Sequence, residues 1–189
     1  MTDLEEMGLD QTGPLPGDTT PRETVAQMIR VDHAGEFGAK QIYAGQLAVL
    51  GRGPKGDILR HMAAQEQVHL DSFSKLIVQR RVRPTALLPL WQVAGFALGA
   101  VTAAMGTRAA MACTVAVEET IDAHYAAQSA ELTEDEAPLR DMIEVFRAEE
   151  LEHRDIGLEN EAELAPAYRL LSAVIKIGCR AAIRISEKV

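Results

Sequence analysis

Two short motifs with the same spacing constrain the fold of this 189-residue chain more than any other feature. Residues 66–69 read EQVH and residues 150–153 read ELEH, so each motif places a glutamate three residues before a histidine. Side chains three residues apart project from the same face of a helix. A single Glu-x-x-His motif arises easily in any glutamate-rich helix, where it forms only a solvated face. A second copy on a separate predicted helix favours a shared role for the two motifs.

Two single glutamates complete the pattern. Glu36 lies in a stretch of small and apolar residues, and Glu118 follows the apolar run of residues 111–117. The order Glu, ExxH, Glu, ExxH across four predicted helices is the ligand order of ferritin-like bundles that hold two iron or manganese ions. Four buried carboxylates would be costly alone, but they balance the charge of two divalent cations. The expected metal ligands are Glu36, Glu66, His69, Glu118, Glu150 and His153.

Neighbouring acidic residues leave alternatives for some of these positions. Glu119 adjoins Glu118, and only one of the two can face inward; the preceding apolar run favours Glu118. In residues 149–153 (EELEH), only Glu150 stands three residues before the histidine. Glu149 and Glu152 are therefore expected to be a solvated pair.

Several other polar residues are secondary candidates. Tyr125 lies seven residues after Glu118, on the same face, where it either adjoins the metals or packs as a half-buried tyrosine. His124 points elsewhere by helix geometry, although it remains a candidate for contact with a substrate. Asp122 is a candidate for orienting a ligand. His33 either donates a hydrogen bond to a ligand residue or is a hydrogen-bonded core histidine. His61 is expected on the surface.

The remaining sequence predicts an all-α chain. Helices are expected from about 21 to 50, 55 to 82, 107 to 132, 133 to 161 and 166 to 189, with capping boxes at Thr20 and Thr133. Residues 1–20 are acidic, lack Lys and Arg, and are expected to form a flexible tail, which leaves residues 21–189 as a single ferritin-like domain. The net charge of -9 argues against nucleic-acid binding. Cys113 and Cys179 are expected to be reduced core thiols.

An uncharged segment, residues 84–107, joins the second and third bundle helices. It is long enough to span a bilayer and contains a GxxxG pair, Gly95 and Gly99. Spanning would separate the predicted ligands, however, so we expect an apolar crossover helix that rests in a lipid interface or on a partner. The last predicted helix is amphipathic and carries basic residues at every fourth position from Lys176 to Lys188, which suits anionic lipid headgroups. The alternative is an ordinary core helix with solvated basic residues.

Five longer motifs resemble the demethoxyubiquinol hydroxylase family. They are residues 30–36 (RVDHAGE), 83–91 (RPT and PLW at its ends), 113–119 (CTVAVEE), 149–153 (EELEH) and 163–168 (ELAPAY). The resemblance runs from about residue 24 to the end of the chain. The family consists of membrane-associated di-iron monooxygenases of ubiquinone biosynthesis. The resemblance implies two iron ions held by the six residues named above, with Glu66 and Glu150 bridging, and it places His124 and Tyr125 near the quinone and the electron path.

The expected function is hydroxylation of the ring of a demethoxyubiquinol, a polyprenyl quinol, with O2. No GxGxxG after a strand and no P-loop is present in the sequence, so an external reductant is expected. The family resemblance implies NADH as the ultimate donor, directly or through a reductase or the quinone itself. A lipid-presenting partner protein is a further candidate. The lack of a transit signal suggests a bacterial protein at the cytoplasmic face of the cell membrane, bound peripherally without spanning it. The alternatives are a ferritin-like ferroxidase or peroxidase, and a non-catalytic membrane-associated helical scaffold.

Overall fold

A computed structural model describes residues 19–189, and within this range all regular structure is helical. The six α-helices are α1 (Pro21–Leu50), α2 (Gly56–Gln79), α3 (Leu88–Ala104), α4 (Thr107–Glu131), α5 (Ala137–Glu159) and α6 (Tyr168–Ser186). The all-α prediction is confirmed. Of the predicted acidic tail, residues 1–18 lie outside the described part of the chain.

The first predicted capping box is confirmed and the second is wrong. At the start of α1, the Thr20 hydroxyl accepts a hydrogen bond from the Glu23 amide, and the Glu23 carboxylate accepts one from the Thr20 amide at 2.9 Å. Thr133 makes no such bond. The carboxylate of Glu136, which would have closed that box, instead accepts two hydrogen bonds from Arg80 at the end of α2. Residues 134–136 form a short 3-10 turn, and α5 begins at Ala137.

Helices α1, α2, α4 and α5 form a four-helix bundle around a shared apolar core. One cluster of buried residues takes Ile29 from α1, Phe73 from α2, Tyr125 from α4 and Ile143 from α5. The segment between α2 and α4 contains α3, which packs along α1, and α6 packs on α4. The predicted ferritin-like architecture, with an apolar crossover helix and an amphipathic C-terminal helix, is confirmed.

Close packing of α3 on α1 depends on glycine. A Cβ atom at Gly99 would overlap the carbonyl oxygen of Ile42, and one at Gly95 would lie 2.8 Å from the carbonyl oxygen of Gly38. A Cβ atom at Gly45 on α1 would overlap the carbonyl oxygen of Phe96. The GxxxG pair therefore brings two helices of this molecule together, because only glycine allows their backbones to approach this closely.

The outer faces of α3 and α6 are apolar and exposed. The exposed large apolar side chains on these helices are Leu90, Val93, Phe96, Val101, Leu170, Val174, Ile177 and Ile185. A hydrogen bond of 3.1 Å from the Trp91 indole to the Ser186 hydroxyl joins the start of α3 to the end of α6. None of the helices in residues 19–189 is both long and apolar enough to cross a membrane.

Candidate metal centre

The six predicted ligand residues meet at the centre of the bundle. Their donor atoms form two overlapping groups, and within each group the atoms lie within 4.8 Å of one another. One group is Glu36, Glu66, His69 and Glu150, and the other is Glu66, Glu118, Glu150 and His153. Every member is at most 1% exposed. Glu66 and Glu150 belong to both groups, so they occupy the positions from which a carboxylate can bridge two ions.

Both histidines direct Nδ1 into the centre. His69 Nδ1 lies 3.0 Å from a Glu150 oxygen, and His153 Nδ1 lies 3.2 Å from a Glu66 oxygen. The opposite nitrogen, Nε2, lies 2.5 Å from the Glu149 carboxylate in His69 and 3.0 Å from the Gln65 side-chain oxygen in His153. Hydrogen bonds donated by Nε2–H to these outer acceptors hold each ring with Nδ1 facing inward, as metal-binding histidines require.

The prediction of a solvated pair is correct for Glu152, which is exposed, but only partly correct for Glu149, which is half-buried. The Glu149 side chain is only 35% exposed because its carboxylate reaches His69 on α2. Position 149 precedes Glu150 by one residue, which turns it about 100° away from the centre and towards α2. Gln65, which is the equivalent contact to His153, was not singled out from the sequence. Gln65 directly precedes Glu66, just as Glu149 directly precedes Glu150, and this shared position is the sequence signal that could have identified it.

Buried polar atoms without a protein partner concentrate in this centre. They include both carboxylate oxygens of Glu66 and of Glu150, one oxygen each of Glu36 and Glu118, and Nδ1 of both His69 and His153. Buried polar groups are normally paired, because an unpaired group loses its hydration without compensation. Cations among these atoms would satisfy all of them at once. The six residues therefore fit a pair of divalent metal ions.

The electrostatics of the protein alone lead to the same requirement. Burial, followed by the charge of Glu150, raises the pKa of both Glu66 and Glu118 well above the usual value. Burial also raises the pKa of Glu36. For Glu150, burial is outweighed by the proximity of the His153 and His69 imidazoles, which lowers its pKa to about 2. Burial opposes charge on His69, but the nearby carboxylates of Glu150 and Glu36 raise its pKa to about 11. Without metal, protons must supply the positive charge.

Two tyrosines bind the outer carboxylates. The Tyr125 hydroxyl donates to Glu36, and the Tyr43 hydroxyl donates to Glu118 at 2.7 Å. Tyr125 is 1% exposed, so of the two alternatives for this residue the structure favours the position beside the centre. Sequence reasoning missed Tyr43, although it follows Glu36 by seven residues just as Tyr125 follows Glu118.

His124 does not join the ligand groups. Its Nε2 lies 3.2 Å from the buried Asp32 carboxylate, which also accepts a hydrogen bond of 2.8 Å from Gln128. Burial raises the pKa of Asp32. His124 and Gln128 border a surface cavity of about 470 Å³. His124 is therefore adjacent to Tyr125 in the chain but faces the outside of the centre, as helix geometry predicts.

The other secondary candidates have separate surroundings. Asp122 does not orient a ligand, since it pairs with Arg147 at 2.6 Å. Glu119 pairs with Lys176 on α6, which leaves Glu118 as the inward residue. His33 is buried but has no partner at Nδ1, and burial lowers its pKa. Other positions follow expectation more closely: His61 is exposed, and Cys113 and Cys179 are free thiols, although Cys179 is only partly buried.

Fold and site together define a class of protein: a ferritin-like helical bundle with a buried carboxylate–histidine centre that fits two metal ions. Comparison with known proteins then gives the family. The family model of ubiquinone biosynthesis protein COQ7 matches residues 23–186, and this chain belongs to that family. The resemblance to demethoxyubiquinol hydroxylases stated from the motifs is confirmed.

Similar proteins occur in bacteria and in mitochondria. The chain is 58% identical over 176 residues to the 3-demethoxyubiquinol 3-hydroxylase of Rhodospirillum rubrum, covering 93% of this chain and 83% of the relative. It is 57% identical over 175 residues to the mitochondrial NADPH-dependent 3-demethoxyubiquinone 3-hydroxylase of Rattus norvegicus, covering 90% and 81%. The mitochondrial 5-demethoxyubiquinone hydroxylase of Saccharomyces cerevisiae is 41% identical over 180 residues, covering 86% and 77%.

Proposed function

We propose that this chain is a 3-demethoxyubiquinol 3-hydroxylase, an O2-dependent monooxygenase of ubiquinone biosynthesis. The observation that carries the proposal is the pair of overlapping groups of buried glutamates and histidines in a member of the COQ7 family. In the reaction, one oxygen atom enters the quinol ring and the other leaves as water. An external donor must therefore supply two electrons and two protons.

The metal ions in this proposal are iron. Glu36 and His69 would hold one ion, Glu118 and His153 would hold the other, and Glu66 and Glu150, which belong to both groups, would be shared between them. Oxygen and nitrogen ligands of this kind suit iron, which supplies the reduction of dioxygen that side chains cannot perform. The protein contributes a buried site that limits access of water, outer hydrogen bonds that orient both histidines, and tyrosine donors that hold the two outer carboxylates.

The exposed apolar faces of α3 and α6 form the proposed contact with the lipid phase that holds the polyprenyl tail of the substrate. Val93 on α3 is 68% exposed and Ile177 on α6 is 61% exposed. Arg180, Arg184 and Lys188 are exposed near these residues in sequence and suit anionic headgroups. Lys176 is half-buried and paired with Glu119, so it contributes less than predicted. We place the protein peripherally at the cytoplasmic face of a bacterial membrane, where a lipid-presenting protein would use the same faces.

The reductant in this proposal is a nicotinamide nucleotide, acting directly or through a reductase or the quinone itself. NADH is the donor expected from the family resemblance, whereas the names of several mitochondrial relatives, including that of Rattus norvegicus, specify NADPH. Comparing the two nucleotides at equal concentration distinguishes them. Tyr125 and His124 are the residues proposed to carry electrons or protons towards the centre, since Tyr125 contacts Glu36 and His124 lies next to it at the surface.

Turnover with isotopically labelled dioxygen tests the proposal. The iron-loaded protein is mixed with vesicles that contain demethoxyubiquinol and a reductant, and the quinone products are analysed by mass spectrometry. One labelled oxygen atom should appear on the ring. Glu66→Ala should abolish the product, whereas Glu152→Ala, on the exposed side of α5, should not. Oxygen consumption coupled to iron oxidation, without labelled quinol, would instead indicate a ferroxidase.

A further inference from the structure

The two halves of the metal centre have the same layout. Each half has one outer glutamate, a histidine, the two shared glutamates, and a tyrosine that donates to the outer glutamate. In each half, the histidine also donates to the residue that directly precedes the opposite Glu-x-x-His motif. Gln65, before Glu66, accepts from His153, and Glu149, before Glu150, accepts from His69. The two halves are thus matched position by position.

One matched pair differs in charge. The acceptor on His69 is the carboxylate of Glu149, whereas the acceptor on His153 is the neutral amide of Gln65. We infer that the two metal positions are unequal, and that the position formed by Glu36 and His69 binds its ion more tightly than the position formed by Glu118 and His153. This inference rests on the proposed two-metal centre and adds a filling order to it.

The physical reason lies in the hydrogen bond behind each imidazole. A hydrogen bond to an ionised acceptor is shorter and about twice as strong as a neutral one, and the two N···O distances here are 2.5 Å and 3.0 Å. An anionic acceptor draws the Nε2 proton towards itself and makes Nδ1 a better electron-pair donor to a metal. Changes to such outer partners typically alter metal affinity by about 10–100-fold. Glu149 is 35% exposed, so solvent screens its direct attraction for the cation, but the hydrogen bond to His69 persists.

Cobalt(II) titration of the full-length, chelator-treated chain measures this difference without any turnover. Calorimetry and visible absorption should show two binding steps in the wild type. His69→Ala should remove the tighter step, and His153→Ala should remove the weaker one. In the His153→Ala background, Glu149→Gln should weaken the remaining step by about 10–100-fold. In the His69→Ala background, Glu149→Gln should leave the remaining step unchanged, because His69, the hydrogen-bond partner of Glu149, is already absent.

The reciprocal substitution, at Gln65, tests for a gain in metal affinity, which a purely structural effect would not produce. Gln65→Glu should strengthen the weaker step and bring the two steps together. Two indistinguishable steps in the wild type, or equal weakening by Glu149→Gln in both backgrounds, would overturn the inference while leaving the two-metal centre intact. If the folded wild type bound no cobalt and no iron, both the inference and the proposed function would be overturned.

Discussion

The four buried glutamates at the centre determine which charges this site must hold. Glu36, Glu66, Glu118 and Glu150 are at most 1% exposed and lie among one another's charges. Such a group is stable only with positive charge inside it, supplied either by protons or by metal ions. Without metal, the raised pKa values of three carboxyl groups and of His69 mean that protons take that place.

Metal-free protein should therefore become less stable as the pH rises from about 6.5 to 9. The pKa of His69 is about 11 in the folded state against an ordinary value of 6.5, so in this range the folded state keeps a proton that the unfolded state has lost. The pKa values of Glu36, Glu66 and Glu118 are also raised by burial, which acts in the same direction. Each such proton contributes a fall of up to about 1.4 kcal/mol per pH unit in the free energy of unfolding. The lowered pKa of Glu150 acts only below pH 4.5. Urea denaturation at several pH values measures how the free energy of unfolding changes with pH.

The free energy of unfolding of the metal-loaded protein should not fall over this pH range. The ions replace the protons, and metal binding strengthens with pH because Nδ1 of His69 must lose its proton to bind. The increase in stability on metal addition should thus be larger at pH 9 than at pH 6.5. A metal-free protein that gains stability over this range would contradict the assignment of protons to the buried carboxyl groups.

Tyr125 and Tyr43 make equivalent hydrogen bonds, yet only Tyr125 adjoins His124. If Tyr125 conducts electrons or protons, Tyr125→Phe should lower turnover by about 10²-fold or more, the usual scale for a proton-transfer group. Tyr43→Phe should have a much smaller effect, since it removes a matched hydrogen bond away from that path. Both variants should retain metal. Turnover of the two variants is compared at equal iron content, and equal losses would indicate that both hydroxyl groups only hold carboxylates.

Among the helices, α3 is positioned by backbone contact rather than by large side chains. Gly99→Ala places a methyl group against the carbonyl oxygen of Ile42 and should destabilise the fold by about 1–3 kcal/mol. Gly178→Ala on α6 meets no atom within 4 Å and should stabilise it slightly, because alanine favours a helix by about 0.5–1 kcal/mol. Thermal unfolding of both variants measures the contrast. Similar melting temperatures would mean that α3 does not depend on its close approach to α1.

The exposed face of α6 is proposed to bind lipid, and a charge placed there tests this. Ile177→Glu should reduce co-sedimentation with vesicles that contain anionic lipid, because a carboxylate would have to enter the apolar interface. Val145→Glu is the matched control, since Val145 on α5 is similarly exposed, at 56% compared with 61%. Equal binding by the two variants would remove α6 from the membrane contact.

The helices were predictable because their signals are local, whereas the crossover followed from the uncharged residues 84–107 together with the requirement that the predicted ligands meet. Thr20 and Glu23 cap α1 across three residues, and the spacing within each Glu-x-x-His motif depends only on helix geometry. The failed capping box at Thr133 depended on a distant residue, since Arg80 binds the glutamate that would have completed it. Glu149 and Gln65 escaped prediction for the same reason. Their contacts cross from one helix to another, and no local periodicity reports them.

Across the whole molecule, the ligand order predicted which residues converge but not their protonation or their unequal outer partners. Four helices from distant parts of the chain each present carboxylates inward, and the two Glu-x-x-His helices add the histidines. The central claim is that this centre binds two ions, with Glu150 shared between them.

Iron content per chain tests that claim most directly. Wild type, Glu150→Ala and Glu152→Ala are loaded anaerobically with Fe(II), separated from free metal and analysed by elemental spectrometry, with helix content checked by circular dichroism. Glu150 belongs to both ligand groups, whereas Glu152 lies two residues further along α5 and is exposed. We expect two irons per chain in wild type and in Glu152→Ala, and loss of that pair in Glu150→Ala. Folded wild-type protein without stoichiometric iron, or a Glu150→Ala variant that keeps both ions, would contradict it.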